Sequence, residues 1–232
     1  MVWVKVCGMT TEEDALVAVA AGADAVGMLF APSVRRISPA QAVVITRALP
    51  QAIERVGVFY DEQPAVIEEI VGRTGLTAVQ LHGDESPEFA RQLFRGQPAL
   101  RCRIRVLKTL HMTAGVGREA RRFVREAGVD GLLLDTVVTD PRTGAVSRGG
   151  TGRAFEWKPL AEWLPGVPEE MRVVVAGGLT AGNVGAAIHL MQPWGVDVCS
   201  GVEREPGRKD PDKIRAFVAA VEAASRQAPA GP

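Results

Sequence analysis

The sequence is poor in aromatic residues, 5% of its 232 positions with a single tyrosine, against 25 glycines. That balance speaks against an aromatic-rich β-sandwich and for a repetitive Ala/Val/Leu architecture with many tight loops. It has no surplus of charge of either sign, because Lys plus Arg total 27 and Asp plus Glu total 27. With no positive field to draw in a phosphate backbone, nucleic acid is not an expected partner. Lysine is scarce, five of the 27 cations, and the arginine excess reads as coding bias first. Arginine also forks onto carboxylates and phosphates better than lysine does. No apolar run approaches the ~18 residues that cross a bilayer. The opening Val2-Trp3-Val4-Lys5-Val6 lacks the basic and long apolar regions of a signal peptide, so no membrane association is expected. Cysteine is limited to Cys7, Cys102 and Cys199, at spacings that match no disulfide framework or zinc motif, which fits a reducing cytoplasm.

What is present is a hydrophobic content of 47%, enough to bury roughly seven-tenths of the unfolded chain's surface. One pattern recurs eight times: a short apolar or β-branched run, a small polar or glycine cluster, then an Ala-rich amphipathic stretch. The runs are 2–7, 25–30, 54–60, 77–82, 103–108, 131–135, 172–176 and 196–199, and their ends lie 23, 30, 22, 26, 27, 41 and 23 residues apart. A strand, a helix and two short loops consume about that much chain. Gly131-Leu132-Leu133-Leu134 and Val173-Val174-Val175-Ala176 are apolar on both faces, as parallel strands covered by helices must be. Eight such units predict a single α/β domain, a closed (β/α)8 TIM barrel over 1–226 with a frayed tail at 227–232. Thr10-Thr11-Glu12-Glu13, Ser38-Pro39 and Ser86-Pro87 open the first, second and fourth helices. The fifth unit is the least regular, with Arg101-Cys102-Arg103-Ile104-Arg105 alternating like a half-exposed strand.

In such a barrel the carboxyl ends of the strands carry the chemistry. Here they are Cys7, Phe30, Tyr60, His82, Lys108, Asp135, Ala176 and Ser200, of which Cys7, His82, Lys108, Asp135 and Ser200 are polar and are expected on one rim. Cys7 reads equally as a small buried hydrophobe or as a thiol of lowered pKa acting as base or nucleophile. Asp135 ends an apolar strand, where a carboxylate is seldom structural because leaving water is costly without partners. The strongest physical signal is the pair of loops Gly177-Gly178-Leu179 and Ser200-Gly201-Val202 after strands seven and eight. Tight turns need glycine in any case, but two such loops at these units favour a bound phosphate. Arg35-Arg36 after strand two is either a solvated pair or a fork for a substrate carboxylate. His82 reads as a hydrogen-bonded rim residue, and His111 and His189 show no metal-ligand spacing, so no metal is expected.

In order along the chain, Lys5-Val6-Cys7-Gly8-Met9-Thr10, Gly22-Ala23-Asp24-Ala25-Val26-Gly27, Arg35-Arg36-Ile37-Ser38-Pro39, Val56-Gly57-Val58-Phe59, Gln80-Leu81-His82-Gly83, Leu133-Leu134-Asp135-Thr136, Gly149-Gly150-Thr151-Gly152, Ala176-Gly177-Gly178-Leu179 and Asp197-Val198-Cys199-Ser200-Gly201-Val202-Glu203 can be read as one set. That set resembles the motifs of the phosphoribosylanthranilate isomerases of tryptophan biosynthesis, from residue 3 to about residue 220. The resemblance implies an intramolecular oxidoreductase of the aldose–ketose type. It would convert N-(5-phosphoribosyl)anthranilate to 1-(2-carboxyphenylamino)-1-deoxyribulose 5-phosphate without a cofactor. It also implies that Cys7 is the general base, Asp135 the general acid, Arg35 the partner of the anthranilate carboxylate, and Gly177, Gly178, Ser200 and Gly201 the phosphate loops. Arg36 stands where many members have Tyr, Cys199 where Ser is common, and Thr136 to Arg148 is longer than in compact members. A carboxylic acid with a pKa raised by its apolar strand suits protonation of the ring oxygen, and a thiolate of modest pKa suits removal of the C2′ hydrogen. The expected partner is a small phosphorylated substrate, and the expected assembly a monomer or homodimer. The alternatives are another phosphosugar isomerase or synthase of this fold, for which Lys5 and Lys108 are the available barrel lysines, or a non-catalytic phosphosugar-binding barrel.

Overall fold

The computed structural model describes residues 1–111, 115–135 and 171–227, and the backbone of 137–139 and 146–148. Eight parallel strands close into a barrel: β1 (Trp3–Cys7), β2 (Ala25–Leu29), β3 (Glu54–Phe59), β4 (Ala78–Leu81), β5 (Arg105–His111), β6 (Gly131–Asp135), β7 (Arg172–Val175) and β8 (Gly195–Val198). Each pairs with its sequence neighbours, and β8 returns to β1 through Trp3 opposite Gly195 to Val6 opposite Val198. The described helices are α1 (Glu12–Ala20), α2 (Pro39–Ala48), α3 (Pro64–Thr74), the short α4 (Pro87–Gln92) and α5 (Pro98–Arg101), α6 (Val116–Glu126), α7 (Val184–Met191) and α8 (Pro211–Gln227). A small antiparallel pair, Val137–Thr139 with Val146–Arg148, follows β6. The Gly149–Gly152 motif and the tail beyond Gln227 lie outside the described residues. No described helix is long and apolar enough to cross a membrane.

The period-2 geometry of a strand sends alternate side chains to opposite faces. Val4, Val6, Val26, Met28, Val79, Leu81, Leu132, Leu134, Val173, Val175, Val196 and Val198 face the helices and form the main core. The intervening positions face the barrel axis, where Ala25, Val56, Ala78 and Leu107 pack as one cluster and Leu133, Val174 and Ala176 as another, both over Trp3. Three helix starts follow the sequence signals. The Thr11 side chain accepts from Asp14 N, Ser38 and Gln41 form a capping box, and the Ser86 side chain accepts from Phe89 N.

The fifth unit departs from expectation. Pro98 starts a short helix that runs to Arg101, and the strand begins only at Arg105 and continues to His111. The alternation of Arg101, Arg103 and Arg105 is therefore not a strand pattern. The Arg101 guanidinium turns back onto the carbonyls of Ile104 and Gly128, which caps the loop into the barrel. Lys108 consequently lies in mid-strand and off the rim. Its Nζ is 2.7 Å from Glu85 and 2.6 Å from the Gly83 carbonyl, and lies over the Phe123 ring of α6, so it points toward the helix layer.

Candidate active site

The carboxyl ends of the strands open onto one pocket of about 250 Å³, lined among others by Cys7, Arg35, His82, Asp135, Gly177, Gly178, Ser200 and Gly201. These site residues picked out from the sequence thus reach a single cavity, whereas Phe30, Arg36 and Lys108 of the wider set do not line it. Round the rim the order is Asp135 at the end of β6, the glycine loop after β7, the Ser200 turn after β8, Cys7 at the end of β1, and the Arg35 loop after β2.

The two anion-loop candidates fit together backbone to backbone. Gly177 and Gly178 have φ of 86° and 65°, a left-handed path that glycine takes without strain. A Cβ on Gly201, in the 3-10 turn Ser200–Val202, would fall 1.9 Å from the Leu179 carbonyl oxygen, so only glycine permits the loops after β7 and β8 to touch.

Arg35 enters the pocket from the β2–α2 loop, which is tied at one end by Ile37 N donating to Leu29 O and at the other by the Ser38 cap. Its Nε and one terminal nitrogen each donate to Glu203 at 2.7 Å. Glu203 also accepts from Lys209 Nζ at 3.1 Å. Its carboxyl pKa is opposed by burial, but Arg35 and Lys209 outweigh burial and hold it below the usual carboxylate range. Two of the five N–H donors of a guanidinium are thereby committed to orientation, and the fork is held rigid before a ligand arrives.

Cys7 is buried beside an internal ion pair. Lys5 Nζ lies 3.0 Å from Asp197 Oδ1, with Lys5 fully enclosed inside the barrel. Burial works against the charge of Lys5, yet Asp197 and Cys7 more than compensate and raise its pKa. Cys7 does not have the lowered pKa that its position suggests. Its hydrogen-bonding interaction with Cys199 raises it, burial raises it further, and Lys5 only partly offsets both. The thiol with the lowered pKa is Cys199, down to about 7: the same interaction lowers it, burial opposes, and Lys209 and Arg35 add their positive charge. Of the two thiols, Cys199 is therefore the one that loses its proton more readily.

Around Asp135 the polar residues form a chain. The Gln80 amide donates to Thr109 Oγ1 at 3.0 Å and lies 3.0 Å from His82 Nδ1. An accepting Nδ1 places the imidazole proton on Nε2, which faces Asp135 Oδ2 at 3.6 Å. His111, the register partner of Asp135, has its Nε2 3.3 Å from the His82 carbonyl. The sequence reading missed His111 by ending the strand three residues early, although Thr109-Leu110-His111 continues the alternation. It counted Lys5 only as an available barrel lysine and passed over its partner Asp197, whose signal is a charge at an inward position of an otherwise apolar strand, and over Glu203 and Lys209. Among the described residues no three His, Cys, Asp or Glu side chains converge as a metal-ligand set.

Comparison with known proteins agrees with the barrel fold. A sequence model of the family described as N-(5'phosphoribosyl)anthranilate (PRA) isomerase matches residues 4–220. The N-(5'-phosphoribosyl)anthranilate isomerase of Pelobacter propionicus is 43% identical over 219 residues, 94% of each chain. The crystal structure of phosphoribosyl anthranilate isomerase from Thermotoga maritima is similar with a TM-score of 0.78 at 39% identity, covering 96% of this chain and 100% of that one. A phosphoribosyl anthranilate isomerase solved in complex with reduced 1-(o-carboxyphenylamino)-1-deoxyribulose 5-phosphate gives a TM-score of 0.77 at 37% identity with the same coverage. With the match running through nearly the whole chain and onto an eight-stranded barrel, this chain belongs to the N-(5'-phosphoribosyl)anthranilate isomerase family.

Proposed function

We propose that this chain isomerises N-(5'-phosphoribosyl)anthranilate to 1-(2-carboxyphenylamino)-1-deoxyribulose 5-phosphate, with Asp135 as general acid and Cys7 as general base. The observation that carries the assignment of roles is that Cys7 and Asp135 end β1 and β6 and line one pocket, with both glycine loops on the arc of rim between them. Gly177, Gly178, Ser200 and Gly201 receive the substrate phosphate through backbone amides. Arg35, held by Glu203, meets the anthranilate carboxylate with its remaining donors. Binding at the two ends orients the sugar between acid and base.

Asp135 gives a proton to the ring oxygen of the glycosylamine, the C1′–O bond breaks, and the nitrogen lone pair forms the iminium. Cys7 then takes the proton from C2′, and the C–H electrons move toward the iminium to give an enaminol, which tautomerises to the ketone. No external oxidant or reductant is consumed. For Cys7 to act as base it must first be a thiolate, and passing its proton to the neighbouring Cys199 thiolate achieves this without leaving the site. The Lys5 ammonium then stands beside the new charge. The cytoplasm is the compartment proposed for this reaction, because the site depends on unoxidised Cys7 and Cys199.

The test is steady-state kinetics with freshly prepared substrate, following anthranilate fluorescence. Cys7→Ala and Asp135→Asn should each fold and lower kcat on the order of 10²–10⁴-fold, as expected for loss of a general base or acid, with KM nearly constant. Near wild-type kcat in either variant removes that residue from its role.

A further inference from the structure

We propose that Cys7 and Cys199 form a modification site: two thiols on neighbouring strands that a hydroperoxide oxidises to an intramolecular disulfide and a dithiol restores. Val6 and Val198 are register partners across the β1/β8 seam, so the residues that follow them face each other at the rim. Neighbouring strands run ~4.8 Å apart, inside the ~4.4–6.8 Å Cα separation that a disulfide spans. Both side chains line the same pocket. The sulfurs lie over two adjoining backbone segments: a Cβ on Gly27 of β2 would meet Cys7 Sγ at 2.6 Å, one on Gly8 just past β1 would meet Cys199 Sγ at 3.0 Å, and Gly8 N donates to Gly27 O at 2.9 Å.

Reactivity is asymmetric in the way an oxidation site requires. Cys199 is the less buried of the two, so a small oxidant entering the pocket can reach it, and Lys209 Nζ stands 3.9 Å from its sulfur. The positive charge of Lys209 and Arg35 adds to the interaction with Cys7 in favouring thiolate on Cys199 near neutral pH. The Cys199 thiolate attacks one oxygen of hydrogen peroxide, the O–O bond breaks, and the departing hydroxide takes a proton from solvent to leave as water. Cys199 is then a sulfenic acid. The Cys7 sulfur attacks that sulfur, the S–O bond breaks, and a second water carries away the Cys7 proton. Each sulfur has lost one electron, and the peroxide has gained both. Cys102 is exposed on the outer surface at the end of α5 and takes no part. The expected effect on turnover rests on the reading of Cys7 as the base, since a disulfide sulfur accepts no proton.

The experiment treats reduced full-length protein with hydrogen peroxide, alkylates it under denaturing conditions with iodoacetamide, and maps the peptides by mass spectrometry. Cys7 and Cys199 should leave the alkylated pool together and appear as one linked peptide pair, with Cys102 still alkylated and dithiothreitol restoring both. Cys102→Ser should behave in the same way, and Cys199→Ser should give no linked pair. A linkage through Cys102, or Cys7 and Cys199 passing to sulfinic acids or staying reduced with no linked pair, overturns the proposal. Activity is read in the same samples and should fall in proportion to the linked fraction. Full activity in linked protein would leave the modification site standing and remove Cys7 as the base.

Discussion

Glu203 spends its two carboxylate oxygens on Arg35 and Lys209, so one side chain sets the direction of the fork proposed to receive the substrate carboxylate. Glu203→Gln removes that charge without changing the shape. KM should rise roughly tenfold, the scale of a lost charge-assisted hydrogen bond, while kcat falls less. Equal losses in kcat and kcat/KM would mean that Glu203 acts on the chemical step instead. The same carboxyl makes a pH prediction. Its folded pKa lies below the ordinary value, so its contribution to stability is present above the unfolded carboxylate pKa and is lost as pH falls through the folded one. The gap in urea midpoint between wild type and Glu203→Gln should therefore be largest at neutral pH and close under acid conditions; a gap independent of pH contradicts the pairing. For the thiols, one proton leaves the pair near pH 7, and the thiolate must form before Cys7 can act. The acid limb of kcat/KM should accordingly rise through about pH 7, and that value belongs to the pair rather than to one sulfur. At this scale Cys7, Asp135, Arg35 and the glycines were legible because each occupies a strand end or a loop just past one. Glu203 was not, because its partner Arg35 is 168 residues distant in the chain, and Lys209 joins that pair through Glu203.

The element that aims Arg35 is α2 with the loop before it. Ser38 accepts from Gln41 N at 3.3 Å and the Gln41 side chain returns to Ser38 N at 2.9 Å, satisfying two of the helix's open donors. Ser38→Ala should cost about 1 kcal/mol by urea denaturation. In a chain of this size that lowers Tm by ~2–4 °C. No loss would mean that water serves the helix end equally well. Between β7 and β8 the relevant contact is loop on loop. Gly201→Ala places a methyl against the Leu179 carbonyl, so the two loops must part and KM should rise while the thiols remain intact. Unchanged affinity for the phosphorylated substrate would remove these loops from phosphate binding. Helix starts were readable from sequence because a cap is a local exchange between a side chain and backbone three residues on. The fifth unit was misread because arginines alternating in sequence look alike whether they line a strand or fold back on carbonyls, as Arg101 does.

For the whole molecule the decisive event is closure, where β8 meets β1 and the two ends of the chain are sewn together. The Lys5–Asp197 pair crosses that seam inside the barrel, with Lys5 inaccessible to solvent. Asp197→Ala leaves an ammonium buried without its partner and should destabilise the fold by about 3–5 kcal/mol in urea. A loss under about 1 kcal/mol would show that Lys5 finds water or another anion within the barrel. The sequence by itself determined the eight-fold repeat, the parallel buried strands, the helix caps and the strand-end residues, because each depends on chain neighbours and on a period of two or 3.6. Only the tertiary structure decided which rim residues meet. It put His111 rather than Lys108 beside Asp135, gave Arg35 to Glu203, and set Cys199 against Cys7. Those choices depend on strand register and on closure of the barrel. Register is a property of paired strands, and a shift of one residue sends every side chain to the other face.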